Sequence, residues 1–442
     1  MVTLTASRRP EQVAGASEET SRTPHSPSAD ADRGRIAHAT PRPMPALQQW
    51  LRSPAPETFP LDAVIAEFRR VGKHFVAPEL LEALAQARAV LPSGDSPLRR
   101  FLDTALDKHD GRFDNPSYLA IHDLPLPAMS GQGSLGFDTS TAARRRDRLV
   151  MLLVADLLRF ELAALDGTTD LLPLMRPERR VVAKRCTLGV RALRPAMMRL
   201  GLEPTEDLND PVATARVLCA KVAEEQTDEE RRMLAVTMLT VYTAHDEHLF
   251  VRVLQSYETT FALVAVQLQA AIIAATVGDP VRTTRALRAA EKAMREAKPL
   301  FSLVATMQPE AFLTFREYTE GASAIQSRSY KTVESLSRRP DVERLAGPGY
   351  DATPEVRERV LVGQATLQDA VAHCPDRGEI REAMAAFEAS VLAWRKTHHN
   401  LAVRVLGTKP GTGYTAGVPY LAQHKDTPLF TDAARQATDR AA

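Results

Sequence analysis

The sequence predicts an all-α protein, a bundle of long helices, on three observations. Apolar residues recur at intervals of three and four along 145–166, 177–201, 211–224, 228–277, 281–305, 309–337, 354–373 and 377–406, the period of a helix with one buried face. Alternating β-branched runs, which would mark strands, are absent. Pro and Gly fall at the joints, at Gly201, Pro204, Gly278-Asp279-Pro280, Pro309, Pro340 and Gly347-Pro348-Gly349.

Taken in order, the chain divides into three parts. Residues 1–45 are rich in Ser, Thr, Pro, Arg and Ala, with too little apolar surface to offset the entropy of ordering, and are expected to be a disordered tail. Residues 46–140 open with short amphipathic stretches, LDAVIAEFRRVGKHF and PELLEALAQARAVL. A segment dense in Gly, Pro, Asp and Ser follows, KHDGRFDNPSYLAIHDLPLPAMSGQGSLGFDTS, expected to be a long ordered loop. Residues 141–442 carry the long helical periods and then a glycine-rich loop at 407–421, GTKPGTGYTAGVPYL.

Composition excludes several function classes. With 56 basic and 55 acidic side chains the formal charge is +1, which gives neither nucleic acid nor an anionic membrane a reason to bind. The 3 cysteines, Cys186, Cys219 and Cys374, are too few and too scattered for a disulfide framework or a zinc site. A reducing, cytoplasmic setting is the expectation. The N-terminus MVTLTASRRPEQ lacks the apolar stretch of a secretory signal, and the longest apolar segments contain polar residues and read as buried helices.

Four places carry chemistry. HDEHLFVRVLQSYETTF (245–261) sets two histidines and two acids at the mouth of an apolar helix. His245 and His248 lie about one turn apart and could ligate a metal. No partner Glu-x-x-His pair accompanies them, so on spacing alone a charged, solvated first turn is the simpler reading. WRKTHHNLAVRVLG (394–407) holds adjacent histidines, of which one can face the core and the other solvent. FREYTEGASAIQS (315–327) puts Arg316 in a semi-apolar stretch, where a buried guanidinium requires a carboxylate or an anionic ligand. GTKPGTGYTAG follows a helix rather than a strand and lacks Walker spacing, so it is a weak phosphate loop.

Together and in this order, these blocks resemble the tryptophan 2,3-dioxygenase family of heme-dependent aromatic oxygenases. HDEHLF with QSYETTF resembles its HDE-x-LF block, FLTFREYTEGASAIQSRSYKTVE its FREY and ASGFQS block, WRKTHHNLAVRVLG its proximal-histidine helix, and TKPGTGYTAGVPYL its GTGGSSG loop. NPSYLAIHDLP (115–125) resembles a short N-terminal element containing YL. The resemblance implies heme b in an all-α bundle that encloses it, with the glycine-rich C-terminal loop over the active site. It places His398 on the iron and gives His245 a catalytic role opposite, holding an indole N–H. Arg316 would bind the substrate carboxylate, Phe312 and Tyr118 its ring, and Thr412 its ammonium. Ser323, Gly411, Gly413 and Tyr414 would lie at the heme edge.

The departures concern what surrounds the ring. Tyr414 stands where the family has glycine, Val241 where it has an aromatic residue, Asn115 in place of a second tyrosine, and Ala324-Ile325 in place of Gly-Phe. The implied reaction inserts both atoms of O2 across the indole C2–C3 bond of L-tryptophan or a substituted tryptophan, giving an N-formylkynurenine-type product. One alternative is single-oxygen transfer by a hydroxylase of an aromatic amino acid in natural-product biosynthesis. Another, of a different class, is a non-catalytic helical binding module. The expected partners are an aromatic amino acid, O2 and further copies of the chain in a dimer or tetramer, with no nucleic acid and no membrane.

Overall fold

The computed structural model describes residues 42–129, 139–202, 209–322, 327–374, 377–407 and 417–431. The expected tail therefore lies almost wholly outside the described residues, as do Ser323, Gly411, Thr412, Gly413 and Tyr414. Among the described residues the fold is all-α, and pairing outside helices is confined to one bridge between Leu174 and Ala244.

Four helices open it, α1 (Met44–Arg52), α2 (Leu61–Val71), α3 (Pro78–Val90) and α4 (Pro97–Ala105). They share a core built on Leu47, Trp50, Val64, Phe68, Leu80, Leu84, Phe101 and Leu102, which Val236 and Leu239 join from the bundle. This layer docks through main-chain acceptors. Arg69 donates to the carbonyls of Met238 (3.1 Å) and Ala235 (2.9 Å), and the amide of Lys73 donates to Thr240 O at 2.7 Å. Gly72 makes the close approach possible. Its φ is +84°, and a Cβ there would stand 2.7 Å from Val241 O and 2.8 Å from Tyr242 Cα.

The main bundle follows: α5 (Ser140–Leu165), α6 (Arg179–Leu200), α7 (Pro211–Glu225), α8 (Asp228–Val236), α9 (His245–Thr276), α10 (Pro280–Glu296), α11 (Lys298–Val304), α12 (Pro309–Arg316), α13 (Arg328–Ser337), α14 (Gly378–Leu406) and α15 (Val418–His424). Helix α9 is the spine, packed by α5, α10 and α13, while α14 lies on α10. Every residue of α9 from His245 to Leu268 is buried. It is long and apolar enough to cross a membrane, but 78% of its most apolar window is covered by the protein's own helices.

Four expected helices are broken, one of them 354–373, which divides into Pro354–Leu361 and Leu367–Ala372. The period over 228–277 is interrupted at 237–244, where the chain runs extended past the N-terminal layer and its carbonyls serve that layer as acceptors. Three threonines there, Thr237, Thr240 and Thr243, weaken the helix. The 281–305 stretch divides at Ala297, and Pro299 opens the next helix. The 309–337 stretch divides after Arg316, with Gly321 at φ +90°.

Candidate active site

The first turn of α9 is not solvated. His245, Asp246, Glu247 and His248 are all buried, and each faces groups from other elements. Acids suit a helix N-terminus, where free amides and the dipole favour negative charge. Asp246 accepts from Arg185 (2.7 Å) and from the amide of Gln308 (2.7 Å). Arg185 of α6 also donates to Glu161 of α5 at 2.8 Å. Glu247 accepts from the amides of Val241 (2.7 Å) and Tyr242 (3.0 Å), turning the entering chain into the helix.

His245 lies in this assembly, with neither ring nitrogen hydrogen-bonded among the described residues. Its Nε2 is 3.3 Å from Glu161 Oε2, and its ring stacks on Phe160 at 4.6 Å between centroids. Phe160 is sandwiched, since His248 stacks on it at 4.2 Å. Burial pushes the Glu161 carboxyl up, but His245 and Arg185 outweigh it and the net shift is downward. Burial drives His248 well below the usual imidazole range, only partly offset by Asp156. Asp156 is raised by burial and lowered by Arg252, His248 and Arg159, which together hold it at about 2.

Tyr118 is likewise part of the packing. It is buried, its hydroxyl donates to Glu247 Oε1 at 3.2 Å, and its ring sits behind Phe250 at 6.5 Å. Neighbouring Asn115 donates to Ala322 O at 3.0 Å, and Lys108 to Tyr318 O at 2.9 Å, so this N-terminal element lies against the segment after Arg316.

The cavity lies further along α9. Phe250, Val253, Leu254 and Tyr257 form one wall, at the i, i+3, i+4, i+7 spacing of a single helix face. Opposite stands α14, with Trp394, His398, Leu401, Ala402 and Val405. Phe301, Val304, Met307 and Phe312 close one side. The empty space is about 1350 Å³ including its open mouth. The wall from α9 is carbon apart from the Tyr257 hydroxyl, which donates to Ala297 O at 3.1 Å.

His398 is half-buried between Phe301 (6.1 Å) and Trp394 (5.5 Å). Neither ring nitrogen has a hydrogen-bond partner among the described residues. Burial, with a smaller push from His399, lowers its pKa to about 4, so the imidazole is neutral at pH 7. His399 turns away, with Nδ1 3.4 Å from Asn400 Oδ1, and lines no part of the cavity. Arg316 flanks the site: its guanidinium carbon lies 5.8 Å from the ring centroid of Phe312, and burial lowers its pKa.

Comparison with known proteins finds sequence similarity to one family. The sequence profile of the tryptophan 2,3-dioxygenases matches residues 226–344, which hold α9, Arg316 and α13. A tryptophan 2,3-dioxygenase of Anaeromyxobacter sp. (strain K) is 28% identical over a stretch covering 42% of this chain and 85% of its own. Those of Polaromonas naphthalenivorans and Bradyrhizobium diazoefficiens are 25% and 26% identical, each over 44% of this chain.

Over its second half the chain is similar to the tryptophan 2,3-dioxygenases. Set against that similarity, the predicted residues separate into two groups. The structure brings His398 and Phe312 to one cavity with Arg316 beside it, and it keeps His245 and Tyr118 out of that cavity. Sequence reasoning passed over Leu254, Tyr257 and Phe301. For the first two the signal was present in their shared spacing with Phe250, whereas an apolar side chain carries no chemical flag of its own.

Proposed function

We propose that this chain is a heme-dependent oxygenase of tryptophan or a ring-substituted tryptophan, with His398 holding the iron. One observation carries the reading. A neutral, unpartnered imidazole lines an aromatic-walled cavity, flanked by an arginine. The donor set fits the group, since a neutral imidazole is an ordinary axial ligand of heme iron and the walls present flat carbon surface.

Bound heme would supply the activation of dioxygen that no side chain can. The protein's own residues do the rest. Arg316 would take the substrate carboxylate as a two-pronged donor, and Phe312 beneath it would support the ring. Thr412 is assigned the ammonium, and Ser323, Gly411, Gly413 and Tyr414 the heme edge, as in the family pattern. The α9 face of Phe250, Val253 and Leu254 excludes water and sets the shape of the space, and it offers no group for proton transfer. His245 and Tyr118 have no part in this proposal, because neither lines the cavity, and the Tyr118 hydroxyl is given to Glu247.

The test is product mass under ¹⁸O2. Reduced, heme-loaded protein with L-tryptophan, substituted tryptophans or L-tyrosine should place two labelled atoms in an indole-derived product. One labelled atom, with tyrosine preferred, would assign a hydroxylase instead.

A further inference from the structure

One end of the same cavity is strongly charged. Lys331, Arg344 and Arg395 converge on a single carboxylate, Glu334, at 2.8, 2.5 and 2.7 Å. Lys331, Glu334 and Arg395 are buried. Among the described residues no other carboxylate pairs with any of the three cations. Three cations on one anion leave two positive charges uncompensated. The neighbours do not alter this sum. Lys425 has its own partner, Asp426, at 2.5 Å, and His424, held at about 4 by burial and by Arg344, is neutral.

Uncompensated charge in a buried wall is destabilising unless a ligand answers it. The donors are placed for one. The Lys331 ammonium gives one hydrogen to Glu334 and lies over the Tyr350 ring at 4.9 Å. Gly349 beside it leaves room, since a Cβ there would stand 3.0 Å from Nζ and 2.9 Å from Cε. All three cations line the cavity that holds His398, and Arg395 precedes His398 by three residues, about 4.5 Å along the helix axis.

We infer that Lys331, Arg344 and Arg395 form a site for two carboxylates held side by side, either the propionates of a porphyrin or the two ends of a small dicarboxylic acid. The porphyrin source rests on the function proposed above. The carboxylate site itself does not.

The experiment titrates heme-free full-length protein with hemin, with hemin dimethyl ester and with glutarate. Hemin should bind about 100-fold more tightly than the ester, roughly tenfold per charge-assisted contact, and Lys331→Met should cut that ratio about tenfold. Gly349→Ala keeps every charge but displaces the ammonium, and should cut the ratio by a smaller factor, which covers the case in which Lys331→Met does not fold. Equal binding of hemin and its ester to the wild type, with a normal Soret band, would overturn the carboxylate site and leave the heme reading standing. If neither porphyrin binds, the heme reading fails and glutarate decides. Thermal protection of the wild type that Lys331→Met abolishes would sustain the site, and no protection would overturn it.

Discussion

At the first turn of α9 each titratable group contacts a protein partner: Asp246 and Glu161 share Arg185, Glu247 caps the incoming chain, and His245 rests against Glu161 and Phe160. At the cavity end of α14, His398 has aromatic neighbours and no hydrogen bond among the described residues. Both histidines sit on long helices of one bundle. Neither ring nitrogen of His245 has a hydrogen-bond partner among the described residues, so the two histidines differ in place: one is packed behind the cavity wall, and the other is open toward the cavity and available to a ligand. Density of titratable residues in a motif does not separate these two cases, and position relative to the cavity does.

The largest expected effect is at the open end. His398→Ala should weaken heme binding by at least about 100-fold, the upper range for loss of even an indirect metal partner, with the fold intact. His399→Ala should leave heme titration unchanged, and reversal of the pair would show that the wrong imidazole has been assigned. Next comes the closed end. Arg185→Met strips Glu161 and Asp246 of their shared cation and should cost about 3–5 kcal/mol in urea unfolding, while the folded fraction keeps its heme affinity.

A smaller effect tests the comparison most directly. His245→Leu loses its stacking on Phe160 and should cost about 1 kcal/mol, with turnover unchanged. A fall in turnover of about 10²–10⁴-fold with stability untouched would return this residue to catalysis and erase the contrast.

The smallest effect is with pH. Because the folded pKa of His398 is depressed to about 4 from an ordinary 6.5, the unfolded chain binds the extra proton first as pH falls. This histidine's contribution to stability is therefore present above pH 6.5 and lost between 6.5 and 4. Heme affinity of the folded protein should stay flat from pH 8 to about 5, where a solvent-like histidine would already be losing its ligand form. A tenfold drop per unit below 6.5, read by Soret titration, would mean that the ring is not sheltered.

How much of this was legible in the sequence varied with the kind of signal. The long helices were, because a 3.6-residue period is local information. The break at 237–244 was not: apolar residues run through it, and its backbone is drawn off by Lys73 and His74, more than 160 positions earlier. His398 could be picked out by its spacing from Trp394 within the family block. The Glu334 cluster could not, since its three cations come from α13, from the short helix Val342–Leu345 and from α14, and only the folded chain brings them together. The HDEH turn misled for a physical reason. A helix start buried in a core needs charged groups to satisfy its amides and each other, and from sequence that need is indistinguishable from catalytic equipment.

The docking of the N-terminal layer bears on the order in which the molecule comes apart. Residues 44–105 share a core that Val236 and Leu239 join, and they hold to the carbonyls of Ala235, Met238 and Thr240, so they are expected to open as one cooperative unit below the global unfolding free energy. Opening would free those carbonyls, yet the amides of Val241 and Tyr242 would stay on Glu247, which belongs to α9 itself. The strand of chain entering the spine is thus tethered from both sides by independent means. Amide exchange should reach the layer first, the linker's outer edge next and the cavity last, so the protein can shed its outer cover and still keep the pocket in register.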